Sequence, residues 1–446
     1  MSLSSGTPAP FHRRDWELAG QLLVLPPPDA EAQPWSQLPV HELLVALAQQ
    51  QRELERQPPE PGRADKALSA SAMAGLALAV LRLGEAVANR QSLSAHRCGP
   101  EASLRRAADL CRRAQVGDTV TYVVNRNLNA SNHCQLRCGF CAFRRDEAAP
   151  GAYRLPLEAL QERAAEAAAA GATELCLQAG LDPRAKLDGS HLRHAERLLE
   201  GLAEAAPGIH LHAFSPQELL FIAERDDISL DRVLERLRAV GLGSVPGTAA
   251  EVLSDSVRRL ICPEKLSSRA WMAVMLQVHR HGLWSTSTLM AGHLEGAADR
   301  AAHLLNLLVL QRQALAAGSG RFSEFVLLPF VGAAAPAPLR QRVGRDQPDG
   351  AAMLRLTAQA RLLLGPWIPH HQPSWVKLTL PVAAEALDWG CDDLGGTLME
   401  EHITTMAGAQ GGTRQTVQAL RSAALERGRP VRQRTTLYGQ TEPPQP

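Results

Sequence analysis

Residues 125–143 read NRNLNASNHCQLRCGFCAF, and this stretch carries three cysteines on one short loop, Cys134, Cys138 and Cys141. Gaps of three and then two residues let three thiolates face one side of an iron–sulfur cubane. The fourth iron then has no nearby cysteine ligand and stays open to a small molecule, whereas an electron-transfer ferredoxin would supply a fourth cysteine. The spacing therefore predicts a [4Fe-4S] cluster with one open iron.

A structural zinc site is the alternative interpretation of this loop, with His133 as a possible fourth ligand. Such a site needs a closed tetrahedral set, usually two ligand pairs on separate turns. The sequence holds no second pair of Cys or His with matching spacing. The remaining cysteines stand alone and are expected to be small core residues: Cys98, Cys111, Cys176, Cys262 and Cys391.

From Thr119 onward, short β-prone runs alternate with amphipathic helical patterns. The predicted strands are TVTYVV at Thr119, TELCLQAG at Thr173, IHLHAF at Ile209, a short run near Ser244, LWSTSTLMA at Leu283 and EFVLLPF at Glu324, with weaker candidates at Ser374–Leu378 and near Asp393. The predicted helices include Leu157–Ala169, Leu230–Val240, Ala270–His281 and Arg300–Ala317. This repetition predicts an α/β fold, a (β/α) barrel of eight units, although a doubly wound open sheet has the same local pattern. In either architecture the cysteine loop follows the first strand, at the end where active sites form.

The chain of 446 residues fits one elaborated barrel with attachments. Residues 1–36 are rich in Pro and small polar residues and are expected to be disordered or a linker. Residues 37–115 have helical spacing and predict a helical N-terminal segment, and residues 116–410 predict the barrel core. Residues 411–446 are expected to form a C-terminal helix and a disordered tail.

The overall charge and hydropathy exclude some classes of partner. The sequence has 47 Lys and Arg residues against 46 Asp and Glu residues, and it holds no long basic block that could bind a phosphate backbone. Nucleic acid is therefore not expected to bind. No apolar run reaches membrane-spanning length, and the N-terminus lacks the order of a secretory signal. We therefore expect a cytoplasmic protein that does not bind membranes.

The cysteine loop also carries a family resemblance. CQLRCGFC, with Phe140 as its aromatic residue, matches the CxxxCxΦC pattern of the radical S-adenosylmethionine (SAM) superfamily, where Φ is aromatic. The resemblance implies a TIM-type (β/α) barrel in which the open iron binds the amino and carboxylate groups of SAM. It further implies reductive cleavage of SAM to a 5'-deoxyadenosyl radical.

Further motifs between about Tyr122 and Ala409 resemble the family of FO synthase second subunits. They are YVVNRNLNASNHCQLRCGFCAF, GAYRL at Gly151, HAFSPQEL at His212, PGTAAEVL at Pro246, ICPEK at Ile261, QPSWVKL at Gln372 and DDLGGTLMEEHI at Asp392. The futalosine-pathway radical SAM enzymes of menaquinone synthesis are the alternative family. The segments PGTAAE and ICPEK favour the FO synthase family over this alternative.

The FO synthase resemblance implies a transferase. The transferred 4-hydroxybenzyl unit would come from L-tyrosine and would be joined to 5-amino-6-(D-ribitylamino)uracil. This reaction belongs to the synthesis of the deazaflavin FO, a precursor of coenzyme F-420. 2-Iminoacetate, methionine and 5'-deoxyadenosine would be released. An electron donor and the first FO synthase subunit are the partners that the resemblance implies.

The resemblance also indicates residues that bind SAM. Gln178 and Gly180 follow the second strand, where backbone approaches the methionyl part, although Ala179 and Asp182 depart from the family pattern. Glu251 is expected at the ribose hydroxyls and Lys265 at the carboxylate. Phe140 belongs to the same cofactor-binding set.

The candidate catalytic residues are His212, Ser215 and His293, which lie at predicted strand ends. They could position tyrosine or carry protons, but a histidine at a strand end is as often a structural hydrogen-bond partner. Glu400 and Glu401 could hold a polar substrate or cap a helix. The polar triplet Asn125 to Asn127 could orient a cofactor or only form the turn into the loop.

Overall fold

A computed structural model describes residues 40–57, 59, 71–83 and 100–441. The segment 1–36, predicted to be disordered or a linker, lies outside the described residues. The helices within the described part are α1 Val40–Arg56, α2 Ser71–Arg82, α3 Pro100–Val116, α4 Leu157–Ala169, α5 His191–Ala205, α6 Pro216–Asp226, α7 Leu230–Ala239, α8 Asp255–Ile261, α9 Ser268–Arg280, α10 Ala297–Ala317, α11 Ala337–Val343, α12 Gly350–Leu364, α13 Trp375–Leu378, α14 Leu380–Glu385, α15 Ile403–Met406 and α16 Val417–Leu425.

The strands form two parallel sheets, ordered β2-β3-β4-β5-β6-β7-β8 and β10-β1-β9. Consecutive strands of the larger sheet are neighbours, as expected when each pair is joined by a helix. The strands are β1 Val120–Val123, β2 Asn125–Leu128, β3 Glu174–Leu177, β4 His210–Ala213, β5 Leu242–Val245, β6 Trp284–Ala291, β7 Phe322–Pro329, β8 His370–Pro373, β9 Asp393–Gly396 and β10 Val431–Gln433.

The two sheets adjoin along one curved wall. β1 runs into β2 across the single residue Val124, and the Asp392 N–H donates to the His371 carbonyl of β8 at 3.2 Å. If β1 and β2 are counted as one bent strand, β9 is the eighth strand of the wall. The predicted α/β barrel architecture is confirmed, with seven strands hydrogen-bonded in its main sheet.

Helices cover the outside of the sheet and form the hydrophobic core together with the strands. The predicted helix Leu157–Ala169 forms at those bounds, and the other three predicted helices form within a few residues of theirs. The predicted and observed helices agree because apolar residues recur every three to four positions, and this amphipathic pattern is contained in the local sequence. None of the described helices combines the length and apolarity that a membrane span requires.

The N-terminal helices pack against the outer helices of the barrel through buried polar contacts. Gln51 of α1 donates to the Leu362 carbonyl at 2.5 Å, and Gln359 of α12 donates to the Val80 carbonyl at 3.0 Å. These bonds satisfy carbonyl groups near helix ends, which otherwise lack a partner in the helix.

The weaker strand prediction at Ser374–Leu378 is wrong. Those residues form α13, and the strand β8 lies just before them at His370–Pro373. Pro373 has no N–H to extend the ladder, and the Leu378 N–H instead donates to the Ser374 carbonyl at 2.9 Å. The apolar run that indicated a strand is buried because the short helix packs inward, with the Trp375 indole donating to the Gly396 carbonyl at 3.0 Å.

Candidate active site

A cavity of about 350 Å³ opens at the carboxyl ends of the parallel strands, and all three cysteines of the loop line it. Cys134, Cys138 and Cys141 share its wall with predicted cofactor-binding residues, which are Phe140, Gln178, Gly180, Glu251 and Lys265. Ser215 also lines it. The parallel strands thus bring together side chains that are more than 130 residues apart in the sequence.

Gly180 fixes where the cysteine loop sits. Its N–H donates to the Ser131 carbonyl at 2.8 Å, and a Cβ at this position would lie 2.0 Å from the His133 carbonyl oxygen. The loop is held on its other side by Gly139, whose N–H donates to the Ile261 carbonyl at 2.8 Å. Gly180 therefore allows the loop to pack closely, and its N–H is already hydrogen-bonded within the protein.

The loop thiols suit iron ligation. Burial raises the pKa of Cys134 and raises that of Cys138 to about 12, so a positively charged partner is needed to stabilise either thiolate at neutral pH. Among the described residues, no group of three or more His, Cys, Asp or Glu converges to hold a single metal ion. A cubane instead takes each cysteine on a different iron, and three thiols along one cavity wall fit that donor set.

His133, the fourth ligand in the zinc interpretation, contacts other groups. Its Nδ1 lies 3.3 Å from an Arg154 guanidinium nitrogen and 3.6 Å from Asp182 Oδ2. Asp182 in turn accepts from Arg154 Nε at 2.7 Å. This set gives Asp182, which departs from the family pattern, the role of an ion-pair partner behind the cysteine loop.

Glu251 and Lys265 form an ion pair in the cavity wall, with Nζ to Oε1 at 2.5 Å. Burial opposes both charges, but each partner outweighs it, so the pKa of Glu251 is lowered and that of Lys265 is raised. The Lys265 ammonium also lies 5.4 Å from the centre of the Phe140 ring. The pair therefore stays charged beside the cysteines, and Glu251 is held there with a positive φ of 45° and a carbonyl that accepts from Met290 at 2.7 Å.

Gln178 and Ser215 are tied into the scaffold. The Gln178 N–H donates to the Leu128 carbonyl at 3.1 Å. Ser215 caps α6, where its hydroxyl donates to Glu218 at 2.6 Å, and the same carboxylate accepts the Ala179 N–H at 3.0 Å. Burial raises the pKa of Glu218. The capping box therefore connects α6 with the turn after β3.

A second chamber of about 200 Å³ lies deeper in the barrel and contains His212. The residues that line both chambers, and so mark their junction, are Asn127, Cys176, Gln178, Thr248, Thr288, Leu328, Lys377, Glu401 and Thr404. Burial lowers the pKa of His212 to about 4, and its Nδ1 lies 2.7 Å from the Ser244 hydroxyl. At neutral pH His212 is therefore an uncharged hydrogen-bonding group of the lower chamber.

His293 lies apart from the other candidates. Its ring contacts the Met290 carbonyl at 3.0 Å, Glu295 at 3.2 Å and the edge of Phe330, and it lines neither chamber. These contacts hold it at the end of β6, outside both chambers, and its catalytic role stays a prediction.

The acidic pair after β9 has two different sets of contacts. Glu400 pairs with Arg126 at 2.8 Å. Glu401 accepts from Asn127 Nδ2 and from the Thr404 N–H, both at 2.7 Å, and it faces both chambers. The two alternatives for Glu401, a cap and a cavity residue, are therefore compatible.

Sequence reasoning missed Lys377 and the floor of the lower chamber. Lys377 lies in the motif QPSWVKL, and its side chain lines both chambers. At the floor, Arg434 pairs with Glu324 at 3.1 Å and with Asp393 at 2.5 Å, and Tyr438 donates to Glu324. No local pattern in the C-terminal segment indicates that Arg434 and Tyr438 reach the inside of the barrel.

Two family profiles match this chain. Residues 128–307 match the profile described as "Radical SAM superfamily", and residues 322–446 match "CofH/MqnC C-terminal region". The first match contains the cysteine loop, and the second contains Lys377, Glu401 and Arg434.

Cyanobacterial proteins named "5-amino-6-(D-ribitylamino)uracil--L-tyrosine 4-hydroxyphenyl transferase" are similar over most of their length. The protein of Synechococcus elongatus is 57% identical over 336 residues, which are 75% of this chain and 87% of that protein. The protein of a Synechocystis species is 55% identical over 336 residues, covering 75% and 86%. That of a Cyanothece species is 54% identical over 337 residues, covering 75% and 88%.

Solved structures of distant proteins share the fold. Methylornithine synthase (PylB) superposes with a TM-score of 0.58 at 14% identity, covering 76% of this chain and 90% of that one. HydG, a maturase of the [FeFe]-hydrogenase, superposes with a TM-score of 0.60 at 12% identity, covering 94% and 78%. At such low identity these two structures support the fold alone.

Proposed function

This chain belongs to the radical SAM superfamily and, within it, to the family of 5-amino-6-(D-ribitylamino)uracil–L-tyrosine 4-hydroxyphenyl transferases, and from this membership we infer its reaction. The enzyme joins the 4-hydroxybenzyl unit of L-tyrosine to 5-amino-6-(D-ribitylamino)uracil in FO biosynthesis. The observation that carries this conclusion is 57% identity across nearly the whole of a relative with that name. The futalosine-pathway alternative is not favoured, because the close relatives described above carry the transferase name.

Cys134, Cys138 and Cys141 would hold the [4Fe-4S] cluster, and SAM would occupy the adjoining cavity. Bound together, the cluster and SAM would supply a carbon-centred radical for hydrogen abstraction from the substrate. The donor chemistry supports this assignment, since three partly buried thiols line a cavity that also presents a charged pair and apolar side chains.

Lys265 and Glu251 would bind the polar groups of SAM. The Lys265 ammonium beside Cys138 is placed to attract a carboxylate, and Glu251 can accept hydrogen bonds from ribose hydroxyls. Apolar residues of the same cavity, among them Leu136, Phe140 and Phe143, would keep water from the reacting atoms.

The proposed reaction also calls for partners. A one-electron donor must reduce the cluster, and the coupled product must still undergo ring closure to become a deazaflavin. We assign the second task to the first FO synthase subunit.

The product assay tests this function. Reconstituted protein is incubated without oxygen with reductant, SAM, L-tyrosine and 5-amino-6-(D-ribitylamino)uracil, and the mixture is analysed by mass spectrometry. We expect the 4-hydroxybenzyl adduct together with methionine and 5'-deoxyadenosine in that reaction, and no adduct when L-tyrosine is left out. Turnover of a futalosine-type precursor, with no adduct from L-tyrosine, would overturn the assignment.

A further inference from the structure

Lys377 and Glu401 lie where the two chambers of the barrel meet, and both side chains line both chambers. Lys377 belongs to α13, directly after β8, and Glu401 lies between β9 and α15. The backbone of α13 is anchored by the Trp375 indole, which donates to the Gly396 carbonyl at 3.0 Å. This contact fixes the backbone from which the Lys377 side chain reaches the junction.

The Lys377 ammonium differs from the other cations that line the two chambers. Lys265 pairs with Glu251, Arg434 with Asp393, and Arg144 with Asp146. Within the described part of the chain, the Lys377 ammonium makes no salt bridge and no hydrogen bond, and it interacts with Glu401 and Glu251 only at longer range. Burial lowers its pKa, as expected for a cation without a close partner.

Glu401 supplies the opposite charge at the same junction. Its two oxygens are held by neutral donors, the Asn127 amide and the Thr404 N–H, so no cation neutralises it through a direct contact within the described residues. A cation and an anion that face one cavity without contacting each other leave room for a ligand between them. Keeping such charges away from bulk water is unfavourable unless a bound group compensates them.

We propose that Lys377 binds the α-carboxylate and Glu401 the α-ammonium of L-tyrosine at the junction of the two chambers. An α-amino acid carries both charges on adjacent groups, whereas 5-amino-6-(D-ribitylamino)uracil presents neutral hydroxyls and ring groups. The charge pair therefore recognises the amino acid and not the second substrate. This assignment rests on the proposed function, because it takes L-tyrosine as a substrate.

Equilibrium binding tests the assignment without turnover. Reconstituted protein with SAM is titrated without oxygen with L-tyrosine, with tyramine, which lacks the carboxylate, and with 3-(4-hydroxyphenyl)propanoate, which lacks the amine. We expect the wild type to prefer L-tyrosine over either analogue by roughly 10- to 100-fold, the range of a charged hydrogen bond. Lys377→Met should lose the preference over tyramine, and Glu401→Gln should lose the preference over the propanoate.

Controls separate binding from folding. Lys186→Met removes an exposed lysine and should leave all three affinities unchanged. Lys377→Met should unfold at a temperature no lower than the wild type, since it removes a charge that burial disfavours. Its iron content should also be unchanged.

The possible failures are distinguishable. If Lys377→Met keeps the wild-type preference for L-tyrosine over tyramine, the assignment is wrong while the proposed function stands. If the wild type forms no complex with L-tyrosine and gives no adduct, the proposed function fails and this assignment fails with it.

Discussion

The Lys265 ammonium lies 2.5 Å from Oε1 of Glu251, and both charges face the cavity beside Cys138. Neither side chain is more than 16% exposed, so each depends on the other to compensate its buried charge. The pair lines the same cavity as the three cysteines, next to the region proposed for SAM. We therefore expect the pair to affect both stability and SAM binding.

Removal of one partner of this pair should destabilise the fold more than removal of both. Lys265→Met leaves Glu251 as an uncompensated buried charge, and we expect a loss of roughly 3–5 kcal/mol in the free energy of unfolding. The double variant Lys265→Met with Glu251→Gln should recover part of that loss and still bind SAM poorly. Urea unfolding and SAM titration measure the two effects. A loss of stability in the double variant equal to the sum of the losses in the two single variants would show that the charges act independently.

Gly180→Ala should displace the cysteine loop. The new Cβ would lie 2.0 Å from the His133 carbonyl oxygen, which is backbone and has little freedom to move. We expect a destabilisation of about 1–3 kcal/mol and a reduced iron content after reconstitution. Gly350→Ala is the matched control, since its Cβ would meet Val382 at an ordinary 3.5 Å. Full iron loading of Gly180→Ala would contradict the close packing.

His212 should make the protein less stable in mild acid. Its pKa is about 4 in the folded chain, below the value of about 6.5 expected when unfolded, so the unfolded state binds the proton more readily. Its contribution is complete above about pH 6.5 and is lost as the pH falls towards 4, by about 3 kcal/mol in all. Urea unfolding of the wild type and His212→Gln at pH 7 and pH 5 measures this. The variant should lose less stability than the wild type on acidification. Equal losses in the two proteins would show that another group is responsible for the pH dependence.

The cysteine site and most strands could be predicted because their signals are local. The spacing of Cys134, Cys138 and Cys141 predicts a donor set within one loop, and the helix Leu157–Ala169 shows its buried face in its own sequence. The strand predicted at Ser374–Leu378 failed because composition indicates that a segment is buried but not that Pro373 ends the ladder.

The charge arrangement of the cavity could not be predicted, because it depends on contacts between distant segments. Arg434 meets Glu324 across 110 residues of sequence, and Lys377 is distinguished only by the salt bridge that it does not make within the described chain. His293 lies at the end of a strand, as predicted, yet its ring packs against Phe330 and away from both chambers. The neighbouring strands and loops determine whether a side chain at a strand end points into the barrel or away from it.

Electron paramagnetic resonance of the reconstituted, reduced protein, recorded with and without SAM, tests whether the three loop cysteines hold a [4Fe-4S] cluster that binds SAM. We expect a [4Fe-4S] signal that changes when SAM is added, because SAM would bind the open iron. The signal should be lost in Cys138→Ala and retained in Cys111→Ala, whose cysteine lies outside the cavity. A signal that persists unchanged in Cys138→Ala, or wild-type protein that takes up one zinc and no iron, would contradict it.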